Sequence, residues 1–221
     1  MKGLGPESGF RLYWSLGTLS ERICTVGHSR TGRTAILLGI MVLGVLVRLD
    51  ALYDYLAEPE KFFYLGEPLE RSVDGYRTLT HARDLLAGNY EGLDVRRRVP
   101  EYSERPWPPM LMALLAAGLN QLTGISLNWI AGFLPVLLGP LIALPLYGLG
   151  RYYGGVAMGM SSALLGTLAM ASVSRSSFGW FDTDCLNVTF LLATAYFALR
   201  FGTLERSRRY LYLGAYALVT L

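Results

Sequence analysis

The chain has 221 residues, 52% of them hydrophobic and only 17% charged, against roughly 25% charged in an average soluble domain. Its 20 basic and 17 acidic residues leave a net charge of +3, scattered in short clusters rather than gathered on one face, which argues against nucleic acid as a partner. The mean hydropathy of +0.34 points to a membrane protein instead. Cys24 and Cys185 have no CxxC spacing, and His28 and His81 stand far apart, so neither a disulfide framework nor a His-rich metal site is indicated.

Residues 1–33 carry Arg11, Arg22, Arg30 and Arg33 and precede an apolar run that is too long for the core of a secretory leader. We read 1–33 as a cytoplasmic N-terminal segment and 34–52 as an uncleaved first span. Arg48 and Asp50 stand near its far end, where long side chains can reach toward the interface. A span needs about 20 apolar residues. The runs 125–150, 154–173 and 185–201 meet that need, and 210–221 opens another. The fold expected is therefore all-α and polytopic, with about four complete transmembrane helices and a truncated fifth. Gly155 and Gly159 have the spacing that permits close helix approach.

The run 110–122 is apolar but only 13 residues long, and it contains Asn120 and Gln121. Charge bias decides its place. If it does not span, the N-terminal arginines, Arg151, and the group Arg200, Arg206, Arg208 and Arg209 all fall on one side, the cytoplasm by the positive-inside rule. If it spans, Arg206, Arg208 and Arg209 move outside. We therefore place it as a helix within a long first external loop, about 53–124, followed by a short second one, about 174–184. Pro100, Pro106, Pro108 and Pro109 stop any helix from running through 101–109.

The second loop carries Arg175-Ser-Ser-Phe-Gly-Trp-Phe-Asp182-Thr-Asp184-Cys-Leu. Two aspartates one residue apart open an apolar span. A carboxylate at bilayer depth costs about 2.5–3.5 kcal/mol on insertion scales, which makes such residues functional candidates. In an extended or turn conformation Asp-x-Asp turns both carboxylates to one side, and hard cations such as Mg²⁺ or Mn²⁺ take one or two carboxylates plus substrate phosphate. The bland alternative is a pair of helix caps. In the first loop, Ser72-Val-Asp74-Gly75-Tyr76 contains a turn signal. Leu79, Ala82, Leu85 and Leu86 then form a helical apolar stripe, so Asp74 is expected just before a helix, again with a cap as its bland alternative. His81 lies seven residues on and is expected to be partly exposed and without a metal role.

These strings resemble the catalytic subunit of oligosaccharyltransferases, the STT3 family. The resemblance rests on Asp74-Gly-Tyr followed by Ala82-Arg83-Asp84-Leu-Leu-Ala-Gly88. It rests equally on Arg175 followed by Gly179, two aromatics and Asp182-Thr-Asp184. It implies a GT-C-type fold, of which 34–221 is the N-terminal part. It also implies transfer of an oligosaccharide from a lipid-linked polyprenyl diphosphate to the side-chain nitrogen of Asn in an acceptor polypeptide bearing Asn-x-Ser/Thr. Carried over, Asp74 and Asp182 look like ligands of Mn²⁺ or Mg²⁺ on the external face of the cell membrane, with Asp74 also contacting the acceptor amide. Asp184 looks like a further acidic member of the metal site, and Arg175 like the basic partner of these catalytic carboxylates.

The family's later acidic loop and its C-terminal soluble domain, with the WWDYG motif, have no counterpart in these 221 residues. We accordingly expect an N-terminal fragment or truncated gene product, inactive alone. Two other readings compete. Another GT-C polyprenyl-phosphate-sugar transferase would share the acidic first loop but not the second motif. A non-catalytic transport or assembly subunit would place its acids within helices at the midplane.

Overall fold

The computed structural model describes residues 29–94, 103–105 and 107–203. The expected cytoplasmic segment up to residue 28, Pro100, Pro106, the arginines 206, 208 and 209, and the run 210–221 lie outside the described residues.

Helix α1, Arg30–Arg48, starts where the Ser29 hydroxyl accepts a hydrogen bond from the Gly32 amide at 2.8 Å, satisfying one of the donors that a helix start leaves open. With α2, Asp50–Ala57, it makes an apolar stretch of 28 residues, longer at both ends than the span expected at 34–52. A short α3, Pro59–Phe62, leads into a hairpin of β1, Phe63–Tyr64, and β2, Glu67–Pro68. Leu65 and Gly66 between them are both left-handed, with φ of 52° and 79°, the backbone that a two-residue hairpin turn requires. Helix α4, Val73–Leu86, is followed by a second small ladder of β3, Leu93–Asp94, with β4, Ser103–Glu104. These two ladders are the strands that the all-α expectation did not contain.

Helix α5, Leu111–Thr123, ends at Gly124 with φ 70°, the left-handed cap common after helices. Thirteen residues rise about 20 Å, too little to cross a hydrocarbon core of about 30 Å. Its small residues Ala113, Ala116 and Ala117 let it sit close to the stripe of α4, and Leu79, Ala82, Met112, Ile130 and Phe181 complete one buried cluster. The stripe read from the sequence is thus a core face.

Helix α6, Leu127–Leu138, capped by Ser126, passes through a 3-10 turn, Gly139–Ile142, into α7, Ala143–Leu168. Helix α7 is not straight. Gly154 and Gly155 leave helical geometry, and Gly155 has φ 75°. A Cβ placed on Gly159 would lie 2.8 Å from the Tyr147 carbonyl, and one on Gly150 would lie 2.6 Å from the Ser162 hydroxyl. Residues twelve apart in an unbroken helix stand about 18 Å apart, so the chain doubles back. The 42-residue apolar stretch 127–168 is therefore folded into two limbs, which correspond to the runs expected at 125–150 and 154–173, the second run continuing past Leu168 into the next short helix. The Gly155/Gly159 pair divides its labour: Gly159 supplies the close approach, whereas Gly155 supplies the turn. Helices α8, Met170–Ser174, and α9, Asp184–Thr203, complete the described chain.

Arg48 corrects the snorkelling expectation. It is fully buried. Its guanidinium donates to the Ser176 hydroxyl at 2.7 Å, the Ser172 hydroxyl at 2.9 Å, the Gly44 carbonyl at 3.0 Å and the Thr167 carbonyl at 3.1 Å. A planar five-donor fork can occupy four acceptors at once, and that is why it turns inward. The result fastens the end of α1 to the segment that leads into the second acidic motif.

Candidate functional site

The two acidic strings lie 108 residues apart in sequence, counted from Asp74 to Asp182, yet their loops are laced together by backbone. The Arg71 amide donates to the Gly179 carbonyl at 2.8 Å, and the Phe181 amide donates to the Glu70 carboxylate at 3.2 Å. Gly75 abuts the same strand of chain: a Cβ there would lie 3.1 Å from the Phe181 carbonyl and 3.2 Å from Glu70 Oε2. Asp74 precedes Gly75 and Asp182 follows Phe181, so this tight contact joins the backbone segments on which the two aspartates stand.

Asp74 is not the cap of its helix. Ser72 is, its hydroxyl accepting from the Gly75 amide at 2.8 Å. Asp74 occupies the first turn with an exposed side chain, where the helix dipole favours negative charge. The capping alternative thus falls to Ser72 and leaves the Asp74 carboxylate uncommitted to its own helix start.

Asp182 is half-buried and accepts from the Thr183 amide at 2.6 Å. Asp184 opens α9 and pairs with Arg175 at 3.1 Å. The Arg175 guanidinium also lies over the Trp180 ring, 5.2 Å from its centroid, so the aromatic of the motif orients the cation that balances Asp184. Gly179 has a physical reason to be glycine, because its φ is 78° and the Tyr55 hydroxyl stands where a Cβ would project. That hydroxyl donates to the Leu69 carbonyl at 2.5 Å, one more tie on the Glu70 loop. Phe178 fills the space beside Gly132, where an added Cβ would lie 2.7 Å from its ring.

His81 is buried rather than partly exposed, packed 5.5 Å from the Tyr90 ring. Burial, with the nearby Arg77, pushes its pKa down, so it is held neutral. It belongs to a different cluster, in which Asp84 pairs with Arg105 at 3.0 Å and Arg105 also donates to the Asn89 carbonyl at 2.6 Å. This accounts for two members of the first string: Asp84 anchors the returning loop, and Gly88 takes φ 69° just past α4.

Glu70 was not singled out in the sequence. It is buried, and desolvation raises its pKa to about 8 despite the Phe181 amide that its carboxylate accepts. Its only sequence signal is a charge two residues ahead of a capping Ser. Among the described residues, no three His, Cys, Asp or Glu side chains converge as a ready metal cage. Asp74 and Asp182 are nonetheless hard oxygen donors on loops in contact, a donor set that suits a cation keeping water and phosphate as its other ligands.

A protein-family model described as "Oligosaccharyl transferase STT3, N-terminal" matches residues 94–221. That range contains Arg175, Asp182 and Asp184 and begins after Asp74. Two curated undecaprenyl-diphosphooligosaccharide–protein glycotransferases are similar to the chain. The one from Campylobacter jejuni (strain RM1221) is 25% identical over 159 residues, 72% of this chain and 21% of the relative. The other, from Campylobacter jejuni subsp. jejuni serotype O:2 (strain ATCC 700819 / NCTC 11168), is 25% identical over 144 residues, 65% of this chain and 19% of the relative. The chain thus spans about a fifth of the length of these relatives.

Proposed function

The chain belongs to the oligosaccharyl transferase STT3 family, whose model covers more than half of it, and from that premise we propose that it supplies one part of the active centre for protein N-glycosylation. The donor would be an oligosaccharide on a polyprenyl diphosphate, and the acceptor the side-chain amide of Asn in Asn-x-Ser/Thr. The observation that carries the proposal is the lacing of the Asp74 and Asp182 loops through Glu70, Gly75 and Phe181.

The difficulty of the reaction lies in the nucleophile. An amide nitrogen delocalises its lone pair, with a rotation barrier of about 18–20 kcal/mol. Asp74 is exposed at the first turn of α4, and in this reading it accepts hydrogen bonds from an acceptor amide N–H. That interaction favours a less conjugated nitrogen. Asp74 and Asp182 would hold a divalent cation, Mg²⁺ or Mn²⁺. When bound, such a cation neutralises the diphosphate leaving group. Asp184 adds negative charge that Arg175 balances, keeping the acidic centre from repelling the donor. The starting position of α9 at Asp184 sets these acids at the edge of an apolar helix, where a lipid-borne donor arrives.

We further propose that this edge faces the outside of the cell membrane and that the N-terminus is cytoplasmic. The clustering of Arg30, Arg33, Arg151 and Arg200 at the other helix ends supports that orientation. In membranes carrying the protein, Asp74→Ala and Asp182→Ala should each abolish transfer from lipid-linked donor to an Asn-x-Thr peptide, with expression unchanged. Wild-type transfer by either variant would overturn the assignment.

A further inference from the structure

The helix ends remote from the acidic loops enclose two adjoining clefts of about 520 and 470 Å³. They share Leu144, Tyr147 and Arg151. Arg30 and Arg33, from the first turn of α1, border the larger; Arg200, near the end of α9, borders the smaller. Four arginines from three separate helices therefore face one connected space, and none of its described lining residues is acidic. Arg33 to Arg48 spans 15 residues, about 22 Å of helix. The space therefore lies roughly one leaflet and a half away from the loop that Arg48 fastens to α1.

Such a concentration of like charge at a membrane edge calls for an anion. Guanidinium forks match phosphate oxygens bidentately, and Tyr147 lines both clefts beside them. The cleft is also amphiphilic, because Leu37 and Leu38 extend its wall up α1 from Arg33, and Leu38 is 55% exposed. A soluble anion has no use for that apolar wall, whereas an acyl chain attached to the phosphate lies along it. Basic pockets between membrane helices are known to take acidic headgroups.

We propose that these clefts bind the headgroup phosphate of an acidic phospholipid from the leaflet opposite the Asp74 and Asp182 loops. The proposal rests on the membrane-spanning character of α1, α7 and α9, and not on glycan transfer. Occupancy would tie together the first turn of α1, the reversal of α7 and the end of α9.

The test uses the full chain purified in detergent and presented with phosphatidylglycerol or phosphatidylcholine, with retained lipid counted by native mass spectrometry. Phosphatidylglycerol should be retained preferentially. Arg33→Gln and Arg151→Gln should weaken that retention about fivefold per arginine removed, whereas Arg33→Lys and Arg83→Gln, the latter on α4, should keep most of it. Equal retention of the two lipids by the wild-type chain would overturn the proposal. So would an unchanged preference in the glutamine variants. Displacement of the lipid by millimolar inorganic phosphate would assign the clefts to a soluble anion and overturn it as well.

Discussion

Gly75 lies against the carbonyl of Phe181, so close that a methyl group added to Gly75 would stand 3.1 Å from that oxygen and 2.9 Å from the Ser72 hydroxyl. The contact sits between Asp74 and Asp182 and sets how near their loops approach. Gly75→Ala therefore forces the Ser72 hydroxyl aside and needs the Phe181 carbonyl to give by a few tenths of an ångström. Overpacking of this kind costs about 1–3 kcal/mol. Gly118→Ala, in the interior of α5 with nothing within 4 Å of the new methyl, should instead stabilise by about 0.5–1 kcal/mol. Thermal unfolding in detergent compares the two. Equal midpoints would show that the loops yield freely.

Glu70 gives the fold a dependence on pH. Unfolded, its carboxyl releases its proton near the ordinary 4.5, and in the fold burial holds the proton up to about 8. Between those values the unfolded state binds fewer protons than the folded one, so stability falls as pH rises. The contribution is complete below about 4.5 and lost once pH passes about 8. The unfolding midpoint of the wild-type chain should decline across that window, and Glu70→Gln should flatten the decline. An identical slope in the variant would remove Glu70 from the account.

Arg48→Ala should destabilise strongly. It empties a buried volume and removes the donor from the Thr167 carbonyl and from the Ser172 and Ser176 hydroxyls, although Ser176 keeps its bond to the Ser172 carbonyl, and a buried acceptor left unpaired costs about 1–3 kcal/mol. Arg48→Lys should recover only part of the loss, because a point charge on a flexible stem cannot occupy the acceptors that the planar fork reaches. Protease susceptibility of the 169–183 segment in membranes would report the loosening, and full rescue by lysine would contradict it.

The Arg175–Asp184 pair should behave in the opposite way. Both side chains are well exposed, at 59% and 36%, and pairs of that kind contribute under about 1 kcal/mol. Arg175→Ala should therefore leave the unfolding midpoint nearly unchanged. If the proposed function holds, it should lower glycan transfer by an order of magnitude or more. A large drop in stability with normal transfer would make Arg175 a structural residue only.

The parts of this molecule that could be read from the sequence are those with a local period. The apolar runs within the described residues became helices, the Leu79–Ala82 stripe became a core face, and the short 110–122 run became a helix too short to span. Arg48 could not be read because three of its four partners are 119 to 128 residues away. Near the end of an apolar run, an arginine bound for the interface and one bound for the interior look alike. Glu70 gains its meaning only from Phe181, 111 residues further on. The Ser72-Val-Asp74 string makes Asp74 the expected cap, whereas Ser72 fills that place, its hydroxyl accepting from the Gly75 amide. The second acidic motif was more legible because its contacts are local: Arg175 pairs with Asp184, nine residues on, and Asp182 accepts from the Thr183 amide.

Gly154 and Gly155 decide a parity. Because the chain reverses there, two crossings separate the loop of Asp74 from the loop of Asp182, and an even number of crossings returns both to the same face. A straight helix through those positions would leave one crossing and strand the aspartates on opposite faces, with Glu70 out of reach of Phe181. The meeting of the acidic loops thus hangs on a pair of residues that carry no functional group at all.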